Sequence, residues 1–164
     1  MRKQLILTAV FIFFICFSGF SSLRAESMFA VESESAKIAV TCQKAAIVNR
    51  LVLLKFSAEW CPWCVDMKKI FQERCLISAL KGYELVEIDV GKRIMVKGKK
   101  IYEKNLGLMK KYAEKIFVPQ LIILDTQGRV VARLNPDDYE RKSPEGNDPA
   151  KLAGLLNHYR RPLK

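Results

Sequence analysis

Two cysteines two residues apart, set where an apolar run stops and a helical pattern begins, constrain this chain more than any other feature. The run LVLLKFS, residues 51–57, is short and mostly apolar, as in a strand covered on both faces. AEWCPWC follows at once, so that Trp60 and Trp63 flank Cys61 and Cys64, with Pro62 between the thiols. From Pro62 onward Val65, Ile70 and Phe71, with Met67 beside them, suit a helix. Proline belongs in a first turn, where its missing N–H is not needed. A fold built on this segment ends a buried strand at the start of a helix and leaves both thiols at that junction.

The rest of the chain supplies a sheet for that strand. Ser33 or Ser35 is the expected cap of a helix whose apolar face carries Ala36, Ala39, Val40, Ile47 and Val48. YELVEIDV, residues 83–90, reads as the next strand, and a basic loop then leads into a helix over about 101–114. Residues 120–125 and 129–134, joined by a TQG turn, make a hairpin. A proline-rich loop precedes a last helix over about 150–159. Alternating strands and helices with a closing hairpin predict an α/β domain: one central mixed sheet with helices on both faces. Tyr83, Tyr102, Tyr112, Phe71 and Phe117 stand at core-like spacing.

Compartment decides what a thiol pair is for. Arg2 and Lys3 precede an almost wholly apolar run over residues 5–20, and the first acidic residue is Glu26. That is the pattern of a secretory signal peptide. The expected domains are therefore a leader, residues 1–25, cut after Ala25, and a domain over 26–164; the bulk of Leu23 keeps a cut near Ser21 open. An uncleaved anchor would need roughly 20 apolar residues, and this run is shorter. The leader carries three of the 28 basic residues and none of the 17 acidic ones, which leaves a net charge of +8. The excess is spread out, without interleaved aromatic residues, so a solvated basic face is expected and no nucleic-acid partner.

In an oxidising compartment a C-x-x-C pair is suited to exchange. A thiol at a helix start meets unpaired N–H groups and a partial positive charge, which favour the thiolate, so Cys61 is the expected nucleophile. Cys64, one turn further in, is within disulfide range and shielded, as a resolving thiol should be. Trp60 and Trp63 would limit water and offer a flat surface to an extended partner. Cys42 and Cys75 make the count even outside the leader; a bridge between them stays open, with two separate buried thiols favoured. They are too scattered for a zinc site, and the one histidine, His158, sits in the terminal helix, so no metal is expected.

FSAEWCPWC resembles the active-site segment of the thioredoxin superfamily, and KIFVPQLIILDTQGRVVARL resembles its second signature. The likeness runs from about residue 35 to 158 and is closest to the exported branch of DsbD and DsbH. It implies that Pro119 is cis and faces the cysteines, and that Pro119, with Val118 before it and Trp60, Pro62 and Trp63 nearby, binds an extended substrate strand. It implies no cofactor beyond a redox-active Cys61–Cys64 disulfide. It further implies a periplasmic protein-disulfide reductase, an enzyme acting on exported proteins that contain disulfides and recharged by a membrane electron donor of the DsbD type. A monomer is expected, since nothing in the sequence suggests a dimerisation domain.

Two departures from that pattern matter. The family has a buried aspartate six residues before the first cysteine, and this chain has Lys55 there. Glu59 is the nearest carboxylate, a candidate proton relay or a solvated loop residue; Lys55 either points outward or approaches the site. The dipeptide Pro62–Trp63 matches none of the familiar branches, so a disulfide oxidase, an isomerase, or a non-catalytic binding module on the same fold remain the alternatives.

Overall fold

A computed structural model describes the backbone of residues 22–142 and 144–160, with side chains from Glu34 onward except Ser143. Most of the expected leader, residues 1–21, lies outside the described residues. The chain divides into two compact units, Met1–Ser33 and Glu34–Lys164. Of the first, residues 22–33 are helical backbone; the second holds everything below. Among the described residues no helix is long and apolar enough to cross a membrane.

Helix α1 (Ser22–Ile47) is followed by β1 (Leu51–Ser57), α2 (Pro62–Ile70), α3 (Arg74–Leu80) and β2 (Tyr83–Asp89). A ribbon of β3 (Arg93–Val96) and β4 (Lys99–Tyr102) leads to α4 (Leu106–Tyr112). The hairpin β5 (Gln120–Leu124) and β6 (Val130–Leu134), a short ribbon β7 (Glu140–Lys142) and β8 (Glu145–Asn147), and α5 (Pro149–Tyr159) complete the chain. The central sheet runs β2-β1-β5-β6, with β1 parallel to β2 and the other pairs antiparallel. It is the mixed sheet the sequence predicts, and its two faces carry separate cores. Ile38, Cys42 and Ala45 of α1 and Met109 and Tyr112 of α4 meet Val52, Leu54 and Phe56 of β1 on one face. On the other, Met67, Ile70, Leu76, Ala79, Leu152 and Leu156 from α2, α3 and α5 cover Leu51 and Leu53. All seven β1 residues are buried, which explains the unbroken apolar run.

Several expectations are corrected or completed. Helix α1 is already formed at Ser22, because Leu, Ala, Glu and Met favour helix and neither Gly nor Pro interrupts the segment, so Ser33 and Ser35 lie inside it. Its buried face is Ile38, Cys42 and Ala45, at helical spacings of four and three, and the expected Ala36, Ala39, Val40, Ile47 and Val48 are all exposed. The basic loop is the ribbon β3–β4, turned by Lys97 and Gly98, both with positive φ (48° and 73°) as a two-residue hairpin turn requires. The segment after α2 is a second helix, α3, and the proline-rich loop contains β7 and β8.

Candidate active site

Cys61 is the residue preceding α2, extended at φ −89° and ψ 113°, and Pro62 opens the first turn. Its carbonyl accepts from the N–H groups of Cys64 (3.0 Å) and Val65 (3.1 Å), so the helix grows directly out of the Cys61 backbone. Both cysteines are buried, at 4% and 1% exposure, and the four described cysteines are free thiols. Across the gap, the Cys61 Sγ donates to the Val118 carbonyl at 3.5 Å, and the Val118–Pro119 peptide bond is cis. This contact exists because β1 and β5 are adjacent, with Phe56 opposite Gln120. The strand that ends at the cysteines and the strand that starts after Pro119 thus bring two sequence motifs to one point.

The two thiols have different surroundings. Burial pushes the Cys64 thiol up to about 12, and its hydrogen bond with Cys61 adds to this, while the Ala58 backbone and the Ser57 hydroxyl act in the opposite sense. Cys64 therefore keeps its proton at neutral pH until another group takes it. The indole of Trp60 donates to the Gly91 carbonyl (2.7 Å), stacks on Tyr102 at 6.2 Å and carries the Arg93 guanidinium over its ring at 4.5 Å. That wall joins the ribbon to the residue before Cys61. Trp63 is half-buried against the first core, its carbonyl accepting from Asn147 Nδ2, and Pro62 is exposed beside it. Val118 is half-buried and Pro119 buried.

Lys55 does not point outward. It is buried on the side of β1 that faces α2, directly opposite Glu87 in the β1–β2 register, with its ammonium 3.3 Å from Glu87 Oε1. Burial lowers the Lys55 pKa, against the opposing pull of Glu87. The Glu87 carboxyl is held below the usual carboxylate range: burial opposes ionisation, but the Lys55 charge, the Ser57 hydroxyl and Lys68 outweigh it. Glu59 is exposed and lines a cleft of about 790 Å³ with Trp60, Asp89, Gly91 and Arg93, apart from the groups acting on Cys64. Cys42 and Cys75 are not bridged: Cys42 is buried under α1 on one face, and Cys75 is exposed on α3, which covers the other. The expectation of two buried thiols fails for Cys75.

Three contributions to the site escape a reading by spacing. Glu87 sits at an ordinary strand position, and only the register sets it against Lys55. Asn147, 1% exposed, ties β8 to α2: its N–H and Nδ2 both donate to Asp66 Oδ2 at 2.7 Å. Gly146 makes this approach feasible, since at φ +157° a side chain there would press on Arg141 and Asp66.

No family model matches the sequence, and no curated protein matches it. Solved structures do. A disulphide isomerase from Xylella fastidiosa Temecula1 is similar over 76% of this chain and 89% of its own, with a TM-score of 0.60 at 18% identity. The oxidised C-terminal domain of DsbD from Neisseria meningitidis is similar over 77% and 95%, with a TM-score of 0.53 at 17% identity. A thioredoxin from Thermus thermophilus is similar over 72% and 79%, with a TM-score of 0.50 at 16% identity. A four-stranded mixed sheet, a C-x-x-C at a helix start and a cis-proline facing it, matched at this level of structural likeness, are the thioredoxin fold, and this chain has it.

Proposed function

We propose that this chain is a protein thiol-disulfide oxidoreductase working outside the cytoplasm, and that its direction is disulfide reduction. The observation that carries the reading is the contact of Cys61 Sγ with the Val118 carbonyl beside cis-Pro119, at the mouth of a helix. A partner strand laid along Val118 and Pro119 would present its disulfide to that sulfur. The Cys61 thiolate attacks one partner sulfur, forming a Cys61–partner bond as the partner's S–S bond breaks and its other sulfur leaves as a thiolate. Cys64 then attacks Cys61: the Cys61–Cys64 bond forms, the mixed disulfide breaks, and the partner leaves with two thiols while the chain is oxidised by two electrons. No bound cofactor enters. Trp60, Pro62 and Trp63 border the approach. The leader over residues 1–25 would carry the protein into the periplasm, where a membrane donor of the DsbD type would return the electrons to a monomer of this chain. The DsbD domain among the similar structures supports that partner class.

Insulin reduction by dithiothreitol tests the class, and equilibrium with glutathione tests the direction. A potential near about −270 mV supports a reductase, and one near about −120 mV overturns that direction. Cys64→Ser should accumulate partners as mixed disulfides, and Cys61→Ser should not; failure of both assays in folded protein favours a binding module.

A further inference from the structure

We propose that the ribbon β3–β4 chooses among partners: it takes the partner chain on one side of the attacked cysteine and favours acidic residues there. This rests on the exchange chemistry proposed above and names the class of partner which that chemistry would meet.

The ribbon is an arm fixed at its base beside the site. The Lys104 N–H donates to the Val90 carbonyl (3.0 Å), the Glu103 N–H to the Lys92 carbonyl (2.9 Å) and Asn105 Nδ2 to the Asp89 carbonyl (2.7 Å), so the base continues from the end of β2. In the register Arg93 stands opposite Tyr102 and Met95 opposite Lys100, and directly opposed residues project to the same side of a ribbon. Arg93 and Tyr102 both lie against Trp60, which identifies that side as the one turned to the site. Met95 and Lys100 come next along it. Ile116 and Phe117, the two residues before Val118, complete a cleft of about 230 Å³ with Arg93, Lys100 and Tyr102. A chain laid along Val118 and Pro119 is thereby carried on towards the ribbon.

Charge decides what that chain should contain. Residues 92–104 hold six basic side chains and one acidic one, Glu103. Lys104 is paired with Asp89 at 3.8 Å, whereas among the described residues the ammonium groups of Lys97, Lys99 and Lys100 have no ion pair. The two sides of Trp60 differ in the same way. Glu59, Asp89 and Glu103 border the larger cleft together with Lys92 and Lys104, so charges offset there; the smaller cleft has basic and apolar walls and no carboxylate. An acidic residue beside the partner's cysteine would meet uncompensated cations, and a lysine would be repelled. Ile116 and Met95, 40% and 61% exposed, offer apolar contact to its neighbour, so the favoured segment is acidic with an apolar residue next to it.

The test uses the reduced full chain carrying Cys75→Ser, which removes the exposed thiol of α3, and short single-cysteine peptides held as mixed disulfides with nitrothiobenzoate. Cys61 attacks the peptide sulfur, a Cys61–peptide bond forms, and nitrothiobenzoate leaves as a coloured thiolate that stopped flow reads. Acidic, neutral and lysine-bearing flanks are compared on each side of the cysteine, and each rate is divided by that of the same peptide with dithiothreitol. On one of the two sides the acidic flank should react on the order of tenfold faster than the lysine flank at low ionic strength. The preference should fade near about 1 M salt, where screening acts within about 3 Å. Lys99→Glu/Lys100→Glu should reverse it. Lys44→Glu/Lys81→Glu, an equal change of net charge at exposed positions near the other end of the sheet, should leave it in place. Rates that ignore flank charge in the parent chain, or a preference that both double variants lose alike, overturn the proposal and leave the exchange reading intact. A parent chain without preference that sediments with anionic vesicles, or runs as a dimer by light scattering, assigns the ribbon to a lipid surface or a second copy and likewise overturns it. Release no faster than from Cys61→Ser with every peptide overturns the exchange reading and this proposal with it.

Discussion

Replacing Lys55 with methionine asks whether the buried pair serves stability or is kept in spite of it. The Lys55 side chain is 5% exposed, and its ammonium lies 3.3 Å from Glu87. At an effective dielectric near 20 that separation gives about 5 kcal/mol of attraction. Against it stands a desolvation penalty of several kcal/mol for an ion withdrawn from water. The balance is uneven, because the Glu87 side chain is 43% exposed and shares its oxygen with Lys68. Lys55 carries most of the penalty, while water weakens the attraction. Methionine keeps the stem packed near the Phe71 ring, over which the ammonium sits at 5.5 Å, and leaves Glu87 to Lys68 and solvent. Lys55→Met should therefore raise the unfolding free energy by about 1–2 kcal/mol at neutral pH, read by urea denaturation with the slope unchanged. The sign with pH follows from burial lowering the Lys55 pKa. Between the folded value and the unfolded one, about 10.4, the unfolded chain binds more protons, so wild type gains stability as pH rises. The advantage of the variant should shrink through that window. A variant less stable than wild type by more than about 1 kcal/mol, or an advantage that grows with pH, refutes the reasoning.

The raised Cys64 thiol gives the opposite slope: the folded chain keeps a proton that the unfolded chain releases above about pH 8.5, so the reduced protein should lose stability from there towards about 12, and Cys64→Ala should flatten the fall in urea titrations. Asn147→Ala deletes the side-chain hydrogen bonds to Asp66 and the Trp63 carbonyl and should cost about 2 kcal/mol by the same assay, whereas a cost near zero would mean that the ribbon is not fastened through them. Iodoacetamide on the native reduced chain should label Cys75 and spare Cys42 until denaturant is added, as mass spectrometry reads it; a dithiothreitol-sensitive link between the two would contradict their placement on opposite faces.

What could be read from the sequence was whatever depends on short-range order. LVLLKFS, the helix opened by Pro62, the hairpin over residues 120–134 and the last helix each announce themselves by period or turn chemistry, and the two motifs carrying Cys61 and Pro119 follow from them. What escaped depends on pairing. Lys55 looks like a surface residue until the register sets it against Glu87. Arg93–Val96 and Lys99–Tyr102 look like a solvated loop because their lysines and arginines hide a two-residue turn, and without it the partners of Trp60 cannot be foreseen. The face of α1 is ambiguous by period alone, because apolar residues lie around the whole segment 36–48, and only packing on the sheet selects Ile38, Cys42 and Ala45.

Cys61 and Val118 are 57 residues apart, and only the antiparallel pairing of β1 with β5 brings them within reach. The parallel pair β1–β2 uses only residues up to Asp89, and both thiols lie between its two strands in sequence. The segment up to Asp89 holds both cysteines but none of the backbone that faces them. Closure of β5 against β1 is a contact of long sequence separation, the kind that loop entropy delays. On the exchange proposed above, discrimination between partners would therefore belong to the finished sheet and not to the C-x-x-C segment by itself.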